Sequence, residues 1–152
     1  MFRGIVNAKM DAKARVALPT RFRDAMQIAC EGRLVLTIDT AERCLLMYPL
    51  PEWEVVQRKL EALSNIRRDT RRLQRLLIGH ATDLDLDANG RIVIPAMLRD
   101  FAALDKTVIL VGQGNKIEIW SDANWRDGMA VWLPEPGADT ADDVDAFTGL
   151  SV

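Results

Sequence analysis

Apolar and polar residues alternate along the chain on both sides of a short polar loop near the N-terminus. Apolar side chains take every second position around the sequence DAKAR at 11–15, at Val6, Ala8, Met10, Val16 and Leu18. Successive side chains of a β-strand point to opposite faces, so this period of two predicts two half-buried strands joined as a hairpin. Residues 11–15, here called the first loop, are predicted to form the hairpin tip.

The same pattern returns 76 positions later. Residues 11–24 and 87–100 are identical at six of fourteen positions, namely Asp11/Asp87, Ala12/Ala88, Arg15/Arg91, Pro19/Pro95, Arg23/Arg99 and Asp24/Asp100. Residues 87–91, with the sequence DANGR, form the second loop, flanked by Leu84, Leu86, Ile92 and Ile94. Asn89-Gly90 favours a tight turn with positive φ, whereas Ala14 occupies the position of Gly90 in the first loop. The repeat predicts two copies of one structural unit.

Each loop is followed by the same predicted elements. Pro19 and Pro95 stand where short helices begin, and these helices extend to about residues 28 and 104. Two β-strands then follow in each copy, at 34–38 and 44–48 in the first and at 108–111 and 116–120 in the second. Trp53 and Trp125 match after the strands.

The stretch between the copies has the period of helices. A helix is predicted from the sequence PEWE at 51–54, and a second one over residues 70–80. Leu73, Leu76, Leu77 and His80 share one face of this second helix. The polar side of the same stretch carries five arginines, Arg67, Arg68, Arg71, Arg72 and Arg75. From Pro134 onward Pro, Gly, Ala and Asp dominate, so residues 134–152 are expected to form a mobile acidic tail.

Charge is distributed unevenly. Residues 1–80 carry 15 Lys and Arg against 9 Asp and Glu, whereas residues 81–152 carry 5 against 13. One basic face is therefore expected to meet a polyanion although the net charge is -2. No apolar run is long enough to span a membrane, and the start MFRG lacks a signal-peptide pattern. The sequence thus predicts a cytoplasmic protein that acts without a membrane.

Enzymatic and metal-binding functions find no support in the motifs. Cys30 and Cys44 lack a CxxC pair and are expected to be reduced, partly buried thiols, so neither a metal nor a cofactor is expected. The single histidine, His80, has no nucleophile motif beside it and is interpreted as a packed side chain. No P-loop or dinucleotide fingerprint occurs, and no small-molecule ligand is evident. The four tryptophans are interpreted as core or interface anchors: Trp53, Trp120, Trp125 and Trp132.

Two Asp-x-x-x-Arg loops joined by a helical pair resemble the MraZ family of bacterial regulators. The start MFRG, the run CLLMYPLPEWE at 44–54, RLLIGHA at 75–81 and VGQGNKIEIW at 111–120 are all similar to that family. The resemblance covers roughly residues 1–130. The family often has glycine where this chain has Ala14, which leaves the turn of the first loop open.

The resemblance implies an α+β, mainly β fold. Its core is two pseudo-symmetric, swapped-hairpin β-barrel half-domains of the AbrB and SpoVT type, with connecting helices. The expected boundaries are 5–52 for the first half-domain, 53–80 for a helical connector, 81–125 for the second half-domain, and 126–152 for a helix remnant and the tail. The resemblance also implies a nucleoid-associated ring of identical subunits. It further implies that this ring represses promoters of cell-division and cell-wall genes, including its own, through tandem G-rich boxes.

The candidate DNA contacts are the basic and polar side chains of the loops. Arg15 is the first choice for a base contact, because the guanidinium fork matches O6 and N7 of guanine. Lys13 suits a phosphate, since a point charge on a flexible stem discriminates little between bases. The further candidates are Arg3, Lys9, Asn89 and Arg91.

Asp11 and Asp87 are interpreted as loop-positioning residues, because phosphate repels a carboxylate. The first copy is the more basic, with Lys9 facing Asp85 and Lys13 facing Asn89 in the alignment. We therefore expect the first loop to supply most of the affinity.

Two alternatives stay open. The arginines at 67–75 compete with the loops for the DNA face, although a charged run on a helix is usually solvated or paired. The chain is alternatively an antitoxin-like protein-binding module that captures a partner through the acidic tail.

Overall fold

The computed structural model describes residues 1–137, in which strands and helices follow the internal repeat. In chain order the elements are β1 (Phe2–Lys9), β2 (Arg15–Ala17), α1 (Thr20–Cys30), β3 (Arg33–Ile38), β4 (Leu45–Pro49), α2 (Leu50–Glu61), α3 (Arg68–Leu77), β5 (Thr82–Asp85), β6 (Arg91–Val93), α4 (Ala96–Ala102), β7 (Thr107–Gly114), β8 (Ile117–Ser121) and α5 (Asp122–Trp132). Among these helices, none combines the length and apolarity that crossing a membrane requires. The predicted α+β, mainly β fold is confirmed.

The strands form two sheets with the symmetry of the repeat. Six strands pair in the order β1-β7-β8-β4-β3-β5, and β2 pairs with β6 in a separate two-stranded ribbon. Every pairing is antiparallel. From the β1 edge to the centre, the sheet contains the first strand of the first copy and then the third and fourth strands of the second copy. From the β5 edge, the same order occurs with the two copies exchanged. The half-domains are therefore related by a pseudo-twofold axis.

The copies exchange their first strands. β1 pairs along its length with β7 of the second copy, and β5 pairs with β3 of the first. In the first copy, the predicted hairpin is kept only at its tip, where Met10 and Val16 form an isolated bridge. Beyond that bridge β1 and β2 separate and pair with different partners. The reason is that the period of two fixes which face of a strand is buried but not which strand pairs with it.

The pseudo-twofold axis passes between equivalent residues at two places. Val16 lies opposite Ile92 in the ribbon, and these two positions are 76 apart in the sequence. Leu46 lies opposite Glu118 where β4 meets β8 at the centre of the sheet. Both sheets are therefore built from strands of both copies.

Both copies contribute to a single main core. Val16, Ile92 and Ile94 have no exposed surface, and Phe22 of α1 and Leu98 of α4 pack into the same cluster. Burying an aliphatic side chain of this size stabilises the fold by about 1.5–3 kcal/mol. The ribbon that carries the loops is thus anchored by its inward-facing residues.

The helices differ in detail from their predicted limits. α3 begins at Arg68 and ends at Leu77, so His80 lies beyond it and is half-buried. There the ring Nδ1 of His80 lies 2.8 Å from the Leu76 carbonyl oxygen. α5 begins at Asp122 because the Ser121 hydroxyl accepts a hydrogen bond from the Asn124 N–H at 3.0 Å. The expected domain limits at 52/53 and 125/126 fall inside α2 and α5, and most of the expected tail, residues 138–152, lies outside the described residues.

The tryptophans and cysteines occupy packed positions. Trp53 contacts Tyr48, and Trp125 contacts Trp120 in the equivalent place, both with ring centroids 5.7 Å apart. Trp132 packs on Trp120 but stays 44% exposed. Cys30 and Cys44 are both buried and free.

Candidate nucleic-acid interface

The first loop is closed by the side chain of Asp11. Its Oδ1 accepts hydrogen bonds from the backbone N–H groups of Lys13 and Arg15, both at 2.9 Å. Its Oδ2 accepts a third from Nε of Arg15 at 2.7 Å. One carboxylate therefore holds the turn and fixes the direction of the arginine side chain.

The second loop has the same arrangement. Asp87 Oδ1 accepts from the N–H groups of Asn89 and Arg91 at 2.8 and 2.9 Å, and its Oδ2 accepts from Arg91 Nε at 2.9 Å. Exposed ion pairs contribute little to stability, so the main effect of the contact between Asp87 and Arg91 is to orient the arginine side chain. The identical Asp and Arg positions found in the sequence correspond to identical geometry.

These hydrogen bonds stabilise the ionised form of both carboxylates, Asp11 and Asp87. The backbone N–H of Arg15 is the main cause that holds the pKa of Asp11 below its ordinary value, and the Arg15 guanidinium adds to this effect, whereas desolvation opposes it. The Arg91 backbone and guanidinium lower the pKa of Asp87 in the same way. Both carboxylates therefore stay ionised at neutral pH, where they bind the arginines.

The arginines are held by one nitrogen and keep the others available. Nε of Arg15 and of Arg91 faces an aspartate, whereas no hydrogen bond within residues 1–137 involves their Nη atoms. The two side chains are 31% and 30% exposed. Two Nη groups in a fixed plane match the paired acceptors O6 and N7 of guanine.

The ribbon brings the two arginines together. Arg15 pairs with Val93 and Arg91 pairs with Ala17, so Arg15 and Arg91 are diagonal neighbours across β2 and β6. Diagonal neighbours in an antiparallel pair share a face and lie about 7–8 Å apart. Val16 and Ile92 point to the opposite, buried face. The loops thus form one composite surface around the pseudo-twofold axis.

Helix residues hold the loops from the partner copy. Nη1 of Arg23, on α1, donates to the Asn89 carbonyl at 3.4 Å in the second loop. Arg99, its equivalent on α4, has a buried Nε without a hydrogen-bond partner in the described chain. Ala14 adopts φ 61 and Gly90 adopts φ 71, so both loops turn through the left-handed region. The turn that the sequence left open in the first loop is therefore the same as in the second.

Two comparisons with known proteins bear on this geometry. The family model described as "MraZ protein, putative antitoxin-like" matches residues 1–76 and again residues 77–136. The chain belongs to the MraZ family. The family expected from the sequence motifs is therefore confirmed, and the two matches correspond to the two copies of the repeat.

Relatives in the MraZ family match along most of their length. A protein from Thioalkalivibrio sulfidiphilus is 49% identical over 152 residues, 100% of both chains. One from Halorhodospira halophila is 49% identical over 142 residues, 93% of each chain. One from Pseudomonas aeruginosa strain PAO1 is 53% identical over 125 residues, 82% of this chain and 83% of its own. All three are named transcriptional regulator MraZ, a name that describes regulators and not enzymes.

The other candidate contacts lie at different distances from the loops of this MraZ-family chain. Lys13 is exposed within the first loop, and Lys9 is exposed at the end of β1 that leads into it. Arg3 pairs with Gln113 near the opposite end of β1, six residues from Lys9 and so about 20 Å away. The structure does not bring Arg3 to the loop surface, and its contact with DNA stays a prediction.

The exchange of strands places two further cations, Lys106 and Arg33, beside the loops, and the sequence did not predict them. The Lys106 carbonyl accepts from the Met10 N–H at 2.8 Å, and Lys106 lines one cleft with Lys9 and Asp11. Arg33 lies opposite Asp85 beside the second loop. No local pattern marks either residue, because each comes from the other copy. Each loop therefore gains one cation that the aligned sequences do not show.

Three potential metal ligands come together away from the loops. One donor atom each of Asp39, Cys44 and Glu118 lies within 4.8 Å of the others. Burial raises the pKa of the Cys44 thiol and of the Glu118 carboxyl, which favours their neutral forms. Glu118 also accepts from Trp120 Nε1 at 3.0 Å, and the Cys44 thiol faces Asp39 Oδ2 at 3.9 Å. These contacts hold the three side chains in a hydrogen-bonded cluster.

Proposed function

We propose that this chain is a sequence-specific, DNA-binding regulator of transcription. In this proposal the composite loop surface contacts promoter DNA in the cytoplasm, at the nucleoid. Repression of its own operon of cell-division and cell-wall genes, through tandem G-rich boxes, is part of the same proposal. The names of its relatives support the general role in transcription.

The observation that carries the proposal is the paired clamp of Asp11 on Arg15 and Asp87 on Arg91. Both guanidinium groups are oriented before any ligand arrives, and both project from the same exposed face of the ribbon. Preorganised side chains lose little conformational entropy on binding. Arginine is the side chain that most often specifies guanine, which agrees with G-rich boxes.

Flanking groups supply contacts that do not depend on sequence. Lys13 and Lys9 are exposed beside the arginines and suit phosphates, as does Lys106. Asn89 takes the place of Lys13 in the second loop and offers an uncharged hydrogen-bonding group. We therefore assign the first loop the larger share of the affinity.

Assembly of identical subunits makes so small a surface effective. Each neutralised phosphate contributes about 0.9 to the salt dependence, so one subunit with a few cations binds weakly at physiological salt. A ring of subunits that meets boxes at matching intervals raises avidity by about 10² to 10⁴. A homo-oligomer on tandem boxes is thus the physical form that we propose.

The test is a footprint on the DNA upstream of the protein's own gene at several salt concentrations. The proposal expects evenly spaced protected boxes that disappear as salt rises and that are absent with the Arg15→Ala/Arg91→Ala variant. Arg126→Ala is the matched control, because Arg126 forms a similar ion pair with Asp122 at 3.1 Å on α5. Protection by the double arginine variant, or none by the wild type, contradicts the proposal.

A protein-binding module is the second candidate, since the family description contains the term antitoxin-like. This function predicts a partner protein that co-purifies with the full chain. A chain that ends at residue 137 is expected to lose this partner but to keep its DNA binding. Retention of the partner by the shorter chain contradicts a role of the tail in this capture.

A further inference from the structure

One face of α3 carries four arginines that the proposed DNA surface does not use. Arg68, Arg71, Arg72 and Arg75 follow the spacing i, i+3, i+4 and i+7, which places them along one side of a helix. All four are exposed. We call them the arginine face.

Within residues 1–137 no carboxylate pairs with the arginine face. Among the described residues, the salt bridge at this helix joins Arg67 to Asp69 at its first turn. The pairs 68/72 and 71/75 are like charges one turn apart, an arrangement that destabilises a helix. The face thus has an electrostatic cost that a counter-charge would remove.

Side chains other than the arginines attach α3 to the rest of the protein. Gln74 Nε2 donates to the Leu60 carbonyl at 2.9 Å, and Thr37 Oγ1 donates to the Leu77 carbonyl at 2.7 Å. Leu76 and Leu77 pack against two different apolar clusters. The arginines are therefore not needed to attach the helix to the body of the protein.

Arg43 lines two clefts, one shared with the end of α5 and one shared with the arginine face. Trp132, the last residue of α5, lines a cleft of about 300 Å³ together with Arg43. Arg43 also lines a neighbouring cleft of about 370 Å³ with Arg72 of the arginine face and with the acidic Asp39 and Glu42. The end of α5 and Arg72 thus border two clefts that share Arg43.

The remaining segment has the charge and the length to reach the face. Residues 138–152 contain no Lys or Arg and four aspartates, Asp139, Asp142, Asp143 and Asp145. An extended chain spans at most about 3.3–3.6 Å per residue, so this segment can extend about 50 Å. That reach exceeds the length of α3, whose 10 residues extend about 15 Å.

We propose that the acidic segment 138–152 binds the arginine face of α3 in the same chain. Arginine pairs well with carboxylates in a planar, bidentate geometry, and four aspartates meet four arginines. Occupied in this way, the face is withheld from DNA phosphates, and sequence-independent affinity stays low. Sequence-independent binding through α3 then does not obscure the preference of the loops for particular DNA sequences.

Cross-linking tests the contact without DNA. Arg72→Lys keeps the charge and introduces an amine that a carbodiimide couples to a carboxylate. In the assembled full-length protein the expected main product joins position 72 to an aspartate of 138–152, within one chain when isotopically labelled and unlabelled protein are mixed. Native Lys59, Lys106 and Lys116 are internal controls. Coupling of the segment to these lysines as often as to position 72, or only between chains, overturns the proposal.

DNA of unrelated sequence tests the consequence. Replacing the four aspartates by asparagine is expected to raise affinity for a random duplex about tenfold and to steepen its salt dependence. The same replacement combined with Arg68→Gln and Arg72→Gln is expected to restore the original affinity. A gain that persists without these arginines, or no gain at all, overturns the effect on DNA. The cross-link remains informative even if the loops prove not to bind DNA.

Discussion

Arg23 on α1 packs directly over Gly90 in the second loop. A Cβ at Gly90 would overlap Cδ of Arg23, and the residue has φ +71. The arginine of one copy therefore covers the loop of the other, and glycine leaves the room for it. In the first loop Ala14 has the same backbone conformation with a Cβ, and its surface is 3% exposed.

Gly90→Ala is expected to lower the free energy of unfolding by about 1–2 kcal/mol, because the left-handed conformation becomes strained and Arg23 is displaced. Urea denaturation measures the change. Ala14→Gly is the matched reverse substitution, for which we expect no loss of stability, because it relieves the same strain. A larger loss from Ala14→Gly than from Gly90→Ala would show that the two loops are not equivalent in the way described.

Arg15→Ala is expected to weaken binding to promoter DNA more than Arg91→Ala does. The reason is that the first copy carries Lys9 and Lys13 at the positions where the second carries Asp85 and Asn89. Loss of one bidentate base contact costs about 1–3 kcal/mol, or roughly five- to 150-fold in the dissociation constant. Titration of labelled promoter DNA compares the two variants at one salt concentration. The larger loss from Arg91→Ala would contradict the assignment to the first loop.

The carboxyl of Asp11 is expected to titrate below its ordinary value of 3.8. Because the folded pKa is depressed, the stabilisation is complete above the unfolded value and is lost as pH falls through the folded pKa. Carbon-detected NMR of the carboxyl group measures the midpoint. In Arg15→Ala the midpoint should rise and yet stay below 3.8, because the backbone hydrogen bond, the largest cause, remains. A midpoint at or above 3.8 in the wild type would rule out the described hydrogen bonds.

Val16→Ala and Ile92→Ala are expected to destabilise the protein non-additively. Both side chains are fully buried and oppose each other on the pseudo-twofold axis. Each truncation costs about 2–4 kcal/mol, and residues in contact couple by about 0.5–3 kcal/mol in a double-mutant cycle. Leu60→Ala, in α2, provides the distant control and should add to Val16→Ala within about 0.5 kcal/mol. Additivity between Val16 and Ile92 would argue against their direct packing.

The local elements were predictable because their signals are local. Pro19 and Pro95 lie at the N-caps of α1 and α4, as the sequence indicated. The start of α5 depends on Ser121 as its N-cap, whereas the expected limit of the second half-domain at residue 125 falls inside this helix. The roles of the individual loop residues in binding DNA stay predictions.

The sequence by itself determined the repeat, the faces that are buried and the shared Asp and Arg of the loops. Each of these depends on residue types at fixed spacing, which a chain carries before it folds. Only the tertiary structure decided that β1 pairs with β7, that Arg23 covers Gly90, and that Arg15 and Arg91 share one exposed face. Pairing between distant strands depends on the packing of both copies into one core, and no spacing within a single copy encodes it.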